Sequence, residues 1–176
     1  DLFSRPHKPV EQRIDLPKEF VSLTGKPSHR GHHDALRYLA GRGITRDDIM
    51  RWKIGYCAEG EFAGRIIIPS FNKDGWVDYY IARSWGREWP RYKNPPVNRD
   101  LIFNELYLNW DEEIVIVEGV FDAIKAGNAI PLLGSTLRES SVIFEALIKN
   151  SARVLLALDA DAQGKSRSIS RLLSYY

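Results

Sequence analysis

The chain has 176 residues and a mass of 20.2 kDa, room for about one ordinary domain or two small ones, which excludes a large enzyme. Apolar residues at 44% and charged residues at 27%, with 13 Gly and 9 Pro spread thinly, describe a folded chain and not a low-complexity one. The net charge of +2 leaves any nucleic-acid surface to local clustering, and the lone Cys57 excludes an internal disulfide or a Cys-rich zinc cluster within these residues, so no zinc is expected.

Residues 1–32 carry Pro6, Pro9, Pro17 and Pro27 among charged side chains and read as an arm or linker. His7, His29, His32 and His33 fall in or beside this polar stretch without a Cys partner, and are expected to be exposed loop histidines. Leu36 and Leu39 mark a helix over 33–39 that Gly41 and Gly43 stop. Thr45 followed by Asp48 forms a capping box opening a second short helix with Ile49 and Trp52 on its apolar side. A strand is expected from Ile54 to Cys57, another from Gly64 to Ile68, and a hairpin turn over Asn72 to Gly75 leads to a returning strand over Val77 to Ala82. Beyond Ser84 a long loop to Pro96 mixes Trp85, Trp89 and Tyr92 with Arg87, Arg91 and Lys93. From 61 to 99 seven basic residues face four acidic ones, which leaves a local basic surface open.

After Glu113 the pattern changes. Ile114 to Val117 is a continuous β-branched run, as in a central parallel strand, and further strands over 129–133 and 153–158 alternate with helices over 121–126, 142–149 and 166–176. This is an open α/β sheet. The boundaries are an arm over 1–32, a smaller α+β basic subdomain over 33–112 and a parallel-sheet domain over 113–176. Asp1 in place of Met, and the terminal Tyr175 and Tyr176 in the last helix, read as cuts in a longer chain. No apolar run reaches the roughly 18 residues of a membrane span and no leader is evident, so a cytoplasmic protein with no membrane partner is expected.

Glu118 directly follows one apolar strand, with Gly119 next and Asp122 in the first turn of the helix behind it. Asp159 and Asp161 follow another such strand, with Gly164 closing the turn. Ligands bind at the carboxyl ends of strands in open α/β sheets, and neighbouring strands would bring these carboxylates together. Converging carboxylates repel unless a hard divalent cation compensates them, and Mg²⁺ or Mn²⁺ is the expected cofactor. The rival reading is that these acids are turn and capping residues. Gly164, Lys165 and Ser166 invite a phosphate-loop reading, but Asp159 occupies the place of its first glycine, and a Lys165 facing solvent at the helix start is a plainer expectation than one touching a phosphate.

Glu118, Gly119 and Asp122 with Asp159, Asp161 and Gly164 resemble the Toprim signature of primases, topoisomerases and related nucleases. Upstream, Tyr38 to Tyr56 resembles the helical entry to the RNA-polymerase core of bacterial DnaG-type primases, and the lack of a zinc module leans toward a phage or plasmid version. The resemblance, over residues 35 to 176, implies a Toprim-like parallel sheet with flanking helices behind a smaller α+β lobe. It implies template-directed synthesis of short RNA primers from ribonucleoside triphosphates on single-stranded DNA, and adds a replicative helicase to the partners to be considered. By the same resemblance Asp159 and Asp161 hold the metal, Glu118 binds it or transfers a proton beside it, Asp122 orients or completes the cluster, and Arg65, Arg83, Arg91, Lys93 and Asn94 face template or nucleotide phosphates. The alternatives are a Toprim nuclease or strand-breaking enzyme and a non-catalytic single-stranded DNA-binding accessory protein.

Overall fold

A computed structural model describes residues 12–27 and 29–175, apart from the side chain of Asp161. The first sheet comprises β1 (Val21–Ser22), β2 (Gly55–Cys57), β3 (Arg65–Phe71) and β4 (Val77–Ser84), paired antiparallel in that order. Its strands are apolar at consecutive positions because both faces are covered. Ile66, Ile68, Tyr79 and Ile81 join the core beneath α1 (Arg30–Gly41) and α2 (Arg46–Arg51), whereas Cys57, Ile67, Tyr80 and Ala82 meet Ile14, Leu16 and Phe20. The segment ahead of α1 therefore wraps the sheet, with the Ile14 N–H donating to the Val77 carbonyl at 2.9 Å and Val21 and Ser22 paired with Tyr56 and Gly55. Only glycine fits at 55, since a Cβ there would lie 2.2 Å from the Phe20 ring and 2.5 Å from the Val21 carbonyl oxygen.

The histidine expectation fails at His32. Helix α1 begins at Arg30, capped by His29, whose Nδ1 accepts the Gly31 N–H at 2.9 Å. His32 then shares one helical face with Ala35 and Leu39, three and seven residues on, and is carried inward, edge-on to Tyr56 at 5.6 Å. His33 is exposed, and His7 lies outside the described residues. Helix α2 opens on the expected capping box, with Thr45 Oγ1 accepting the Asp48 N–H at 3.2 Å and Asp48 Oδ2 accepting the Thr45 N–H at 2.8 Å.

The second sheet is parallel, with β5 (Ile114–Val117) between β6 (Ala129–Pro131) and β7 (Val154–Ala157). Pro131 is tolerated because β6 is an edge strand. Helices α3 (Val120–Ala126), α4 (Val142–Lys149) and α5 (Gln163–Leu173) flank it. Ile114 and Ile116 pack with Ile130, Phe144, Leu147 and Ile169 on one face, each fully buried aliphatic side chain contributing about 1.5–3 kcal/mol. On the other face Val117, Val120, Phe121 and Ile124 share a core with Leu39, Ile44 and Trp52 of the antiparallel lobe. That shared core sets the lobes against each other and gives the mixed α/β architecture expected. Among the described residues no helix is long and apolar enough to cross a membrane.

Candidate active site

Glu118 and Asp159 leave the same end of neighbouring strands. The register pairs Val117 with Ala157, so Glu118 is one residue past β5 and Asp159 two residues past β7. The Glu118 backbone is pinned on its other side by the Leu133 N–H, which donates to its carbonyl at 3.0 Å. Asp122 returns toward the start of α3, and glycine at 119 leaves the room: a Cβ there would lie 3.3 Å from Asp122 Oδ2. Asp159 opens a 3-10 turn over Ala160–Ala162 that contains Asp161, and the Asp159 side chain does not cap that turn. The Asp159 carboxylate is thus not used to cap that turn.

Lys165 lies in the first turn of α5 and reaches across to Glu118, where Nζ donates to Oε2 at 2.8 Å. Both side chains are about four-fifths buried, which corrects the expectation of a solvent-facing lysine. The strand-end carboxylate needs a cation, and the first turn of α5 puts one within reach. Glu118 Oε1 is buried without a hydrogen-bond partner. Glu118 therefore sits where a positive charge is already favoured, and the acidic oxygens around it are of the hard type that Mg²⁺ and Mn²⁺ prefer. The donor chemistry fits a divalent cation, although among the described residues no three acidic, His or Cys side chains converge closely enough to hold one.

The basic candidates occupy the antiparallel lobe. Arg65 and Arg83, on β3 and β4, are 3% and 6% exposed. Burial lowers the Arg65 pKa from its ordinary value, with Glu88 opposing that shift and Arg83 adding to it. Arg65 Nη1 donates to the Arg91 carbonyl at 3.4 Å. Arg83 Nε donates to the Tyr38 hydroxyl at 2.8 Å, its guanidinium lies 4.8 Å from the Tyr92 ring centre, and its Nη1 is buried with no partner. Tyr38 leans on Phe121 at 6.3 Å, and Arg42 stacks over both rings at 5.3 and 5.1 Å. Phe121 is three residues beyond Glu118. A continuous set of contacts thus runs from Arg83 through Tyr38 to the start of α3.

The remaining basic-loop candidates differ among themselves. Arg91 is exposed. Lys93 is engaged by Glu61, with Nζ at 3.1 Å from its carboxylate and 3.3 Å from its carbonyl. Asn94 Oδ1 accepts the Ala82 N–H at 3.2 Å and so holds the loop to β4. Tyr38, Arg42 and Lys165 are not among the site residues expected from the sequence. Lys165 carried a legible signal, since it directly follows the Gly164 of the acidic motif, whereas Tyr38 and Arg42 stood only within the segment that resembles a helical entry.

No protein-family model matches the chain. It is 29% identical over 193 aligned positions to the DNA primase of Thermotoga maritima, covering 81% of this chain and 34% of that protein. With the DNA primase of Staphylococcus epidermidis the identity is 24% over 185 positions, covering 77% and 31%. The chain spans about a third or less of the length of the curated relatives it matches. Among solved structures, a DnaG primase catalytic domain bound to single-stranded DNA superposes with a TM-score of 0.66 at 18% identity, over 82% of this chain and 60% of that one. The Aquifex aeolicus primase, with its zinc-binding and RNA polymerase domains, gives 0.64 at 19% identity, over 80% and 46%. The chain has the fold of DnaG-type primase catalytic domains.

Proposed function

We propose that this primase-like fold carries a nucleotidyl-transfer centre that builds RNA primers on single-stranded DNA from ribonucleoside triphosphates. The observation that supports it most is the opposition of Arg83, buried with a donor unspent, to the Glu118 strand end, through Tyr38 and Phe121. A guanidinium with an unpaired donor suits phosphate oxygens, while the acidic strand ends suit the cations that accompany a triphosphate.

In this reading Glu118, Asp159 and Asp161 would hold Mg²⁺ or Mn²⁺, and Asp122 orients the cluster from the first turn of α3. The bound cation would supply electrostatic stabilisation of the charge that develops on phosphate as a 3′-hydroxyl attacks the α-phosphorus and pyrophosphate leaves. Arg83 holds the nucleotide phosphates at the lobe junction. Arg65 supports Arg91 from beneath, and Arg91 reaches the template phosphates. Lys93 and Asn94 act by fixing the course of the loop that carries Arg91. The shared core joins the lobe that carries the basic residues to the one that carries the acidic strand ends, and charges preorganised in this way stabilise a reaction with little reorganisation.

The test is primer synthesis on a single-stranded template with ribonucleoside triphosphates and Mg²⁺ or Mn²⁺. Asp159→Asn and Asp161→Asn are expected to abolish product while melting curves keep their cooperativity. Undiminished synthesis by both variants overturns the assignment, and metal-dependent cutting of DNA without nucleotides identifies a nuclease instead.

A further inference from the structure

Trp89 is 88% exposed, and among the described residues no hydrogen bond or ring contact engages its indole. A free indole is the largest apolar surface a side chain can leave in water, and proteins usually bury it or set it against a partner. The loop that presents it is held firmly. The Ser84 N–H donates to the Arg91 carbonyl at 3.0 Å, the Ser84 hydroxyl donates to Glu88 Oε2 at 2.7 Å and accepts the Gly86 N–H at 3.1 Å, and Arg83 and Tyr92 form a bridge below.

The charges of the loop are sorted by these contacts. Glu88, although exposed, accepts a hydrogen bond from the Ser84 hydroxyl, and Arg65 acts on it electrostatically. Burial would raise its pKa, but the Ser84 hydroxyl, the backbone N–H groups of Glu88 and Gly86, and Arg65 outweigh that and hold it below the usual carboxylate range. Arg87 and Arg91, two residues to either side of Trp89, are exposed. Tyr92, 45% exposed, backs onto Arg83. The tip therefore offers an exposed, unpartnered indole with an exposed arginine two residues away in sequence on either side, and with the ionised Glu88 carboxylate held by the Ser84 hydroxyl.

We infer that Trp89 is a stacking platform for an unpaired base of a single-stranded nucleic acid whose backbone phosphates lie along Arg87 and Arg91. This rests on the nucleic-acid reading above and names the residue that grips the strand. An apolar protein partner would be met by a wider apolar patch, and here the exposed side chains two positions to either side are Arg87 and Arg91. The ligand that offers both a π-face and regularly spaced negative charge is a single strand, since a duplex hides its base faces.

The test measures the binding of a labelled oligodeoxythymidylate to the full chain by fluorescence anisotropy across a salt series. Trp89→Ala is expected to weaken binding about ten-fold, within the range for loss of one stacked base, with the slope of log affinity against log salt unchanged. Trp89→Tyr restores most of the affinity, because stacking needs an aromatic face. Arg91→Ala instead flattens the salt slope by about 0.7, one phosphate's worth for single strands. Wild-type affinity in Trp89→Ala overturns the platform and leaves the nucleic-acid reading standing. Failure of the unaltered chain to bind the oligomer at low salt overturns both.

Discussion

Lys165 Nζ donates to Glu118 Oε2 at 2.8 Å across 47 residues of sequence, joining the first turn of α5 to the end of the central parallel strand. With Oε1 enclosed and Oε2 taken, neither oxygen of Glu118 is open to a second cation until the lysine moves. Without divalent metal, Lys165→Met is expected to destabilise the fold by about 1–3 kcal/mol, since it leaves a largely buried carboxylate unpaired. Adding Glu118→Gln should recover most of that loss. If Glu118 takes part in metal binding, Lys165→Met also binds Mn²⁺ more tightly than the unaltered chain, measured by calorimetry, because a competing cation has gone.

The link between lobes through Tyr38 is open to a milder change. Tyr38→Phe keeps the ring against Phe121 but removes the oxygen that accepts from Arg83 Nε, leaving that buried guanidinium with a second unpaired donor. A loss of about 1–3 kcal/mol in urea denaturation is expected, with weaker ribonucleoside triphosphate binding. An unchanged denaturation midpoint would show that Arg83 finds another partner.

Asp78 is a buried acid whose Oδ1 has no partner. Burial raises its pKa, against the lowering effect of the Ser70 hydroxyl and of the N–H groups of Asp78 and Tyr79. An acid whose folded pKa exceeds its unfolded value favours folding in its protonated form. Its contribution is fully present below the unfolded value and is lost as pH rises through the folded one. Asp78→Asn should therefore stabilise the protein at pH 7, on the order of 1 kcal/mol, and the gain should vanish in acid. Thermal melts at both pH values check the sign.

Cys57 is buried on the outer face of the antiparallel sheet, and burial, with a smaller effect from Glu19, pushes its thiol up to about 12. Alkylation at pH 8 should be negligible in the folded protein and complete in denaturant, with one thiol counted. Rapid labelling under native conditions would place Cys57 at the surface.

Much of the architecture was legible in the sequence because it is written in local patterns. Ile114 to Val117 could be assigned to a central strand from β-branching alone, the capping box at Thr45 and Asp48 marked a helix start, and Asn72 to Gly75 marked a turn. The sequence placed Glu118 and Asp159 just past two apolar strands, and those strands, β5 and β7, are parallel neighbours in one sheet. Local patterns also misled where burial decides: His32 lies in a polar stretch yet goes inward with Ala35 and Leu39, and Lys165 follows a glycine turn yet bends back to a carboxylate.

The sequence by itself determined which segments become strands and helices and which acids stand at strand ends, since both depend on neighbours a few residues away. Tertiary structure alone decided the partners of the charges: Lys165 on Glu118, Tyr38 beneath Arg83, Glu61 on Lys93 and Glu88 folded onto Ser84. The physical reason is that a charged side chain takes the best counter-charge or hydrogen bond within reach, most of all where it is buried, and that reach is set by how the lobes pack. The same packing leaves Trp89 outside, so that a residue ordinary in composition becomes the most exposed large apolar side chain among the described residues.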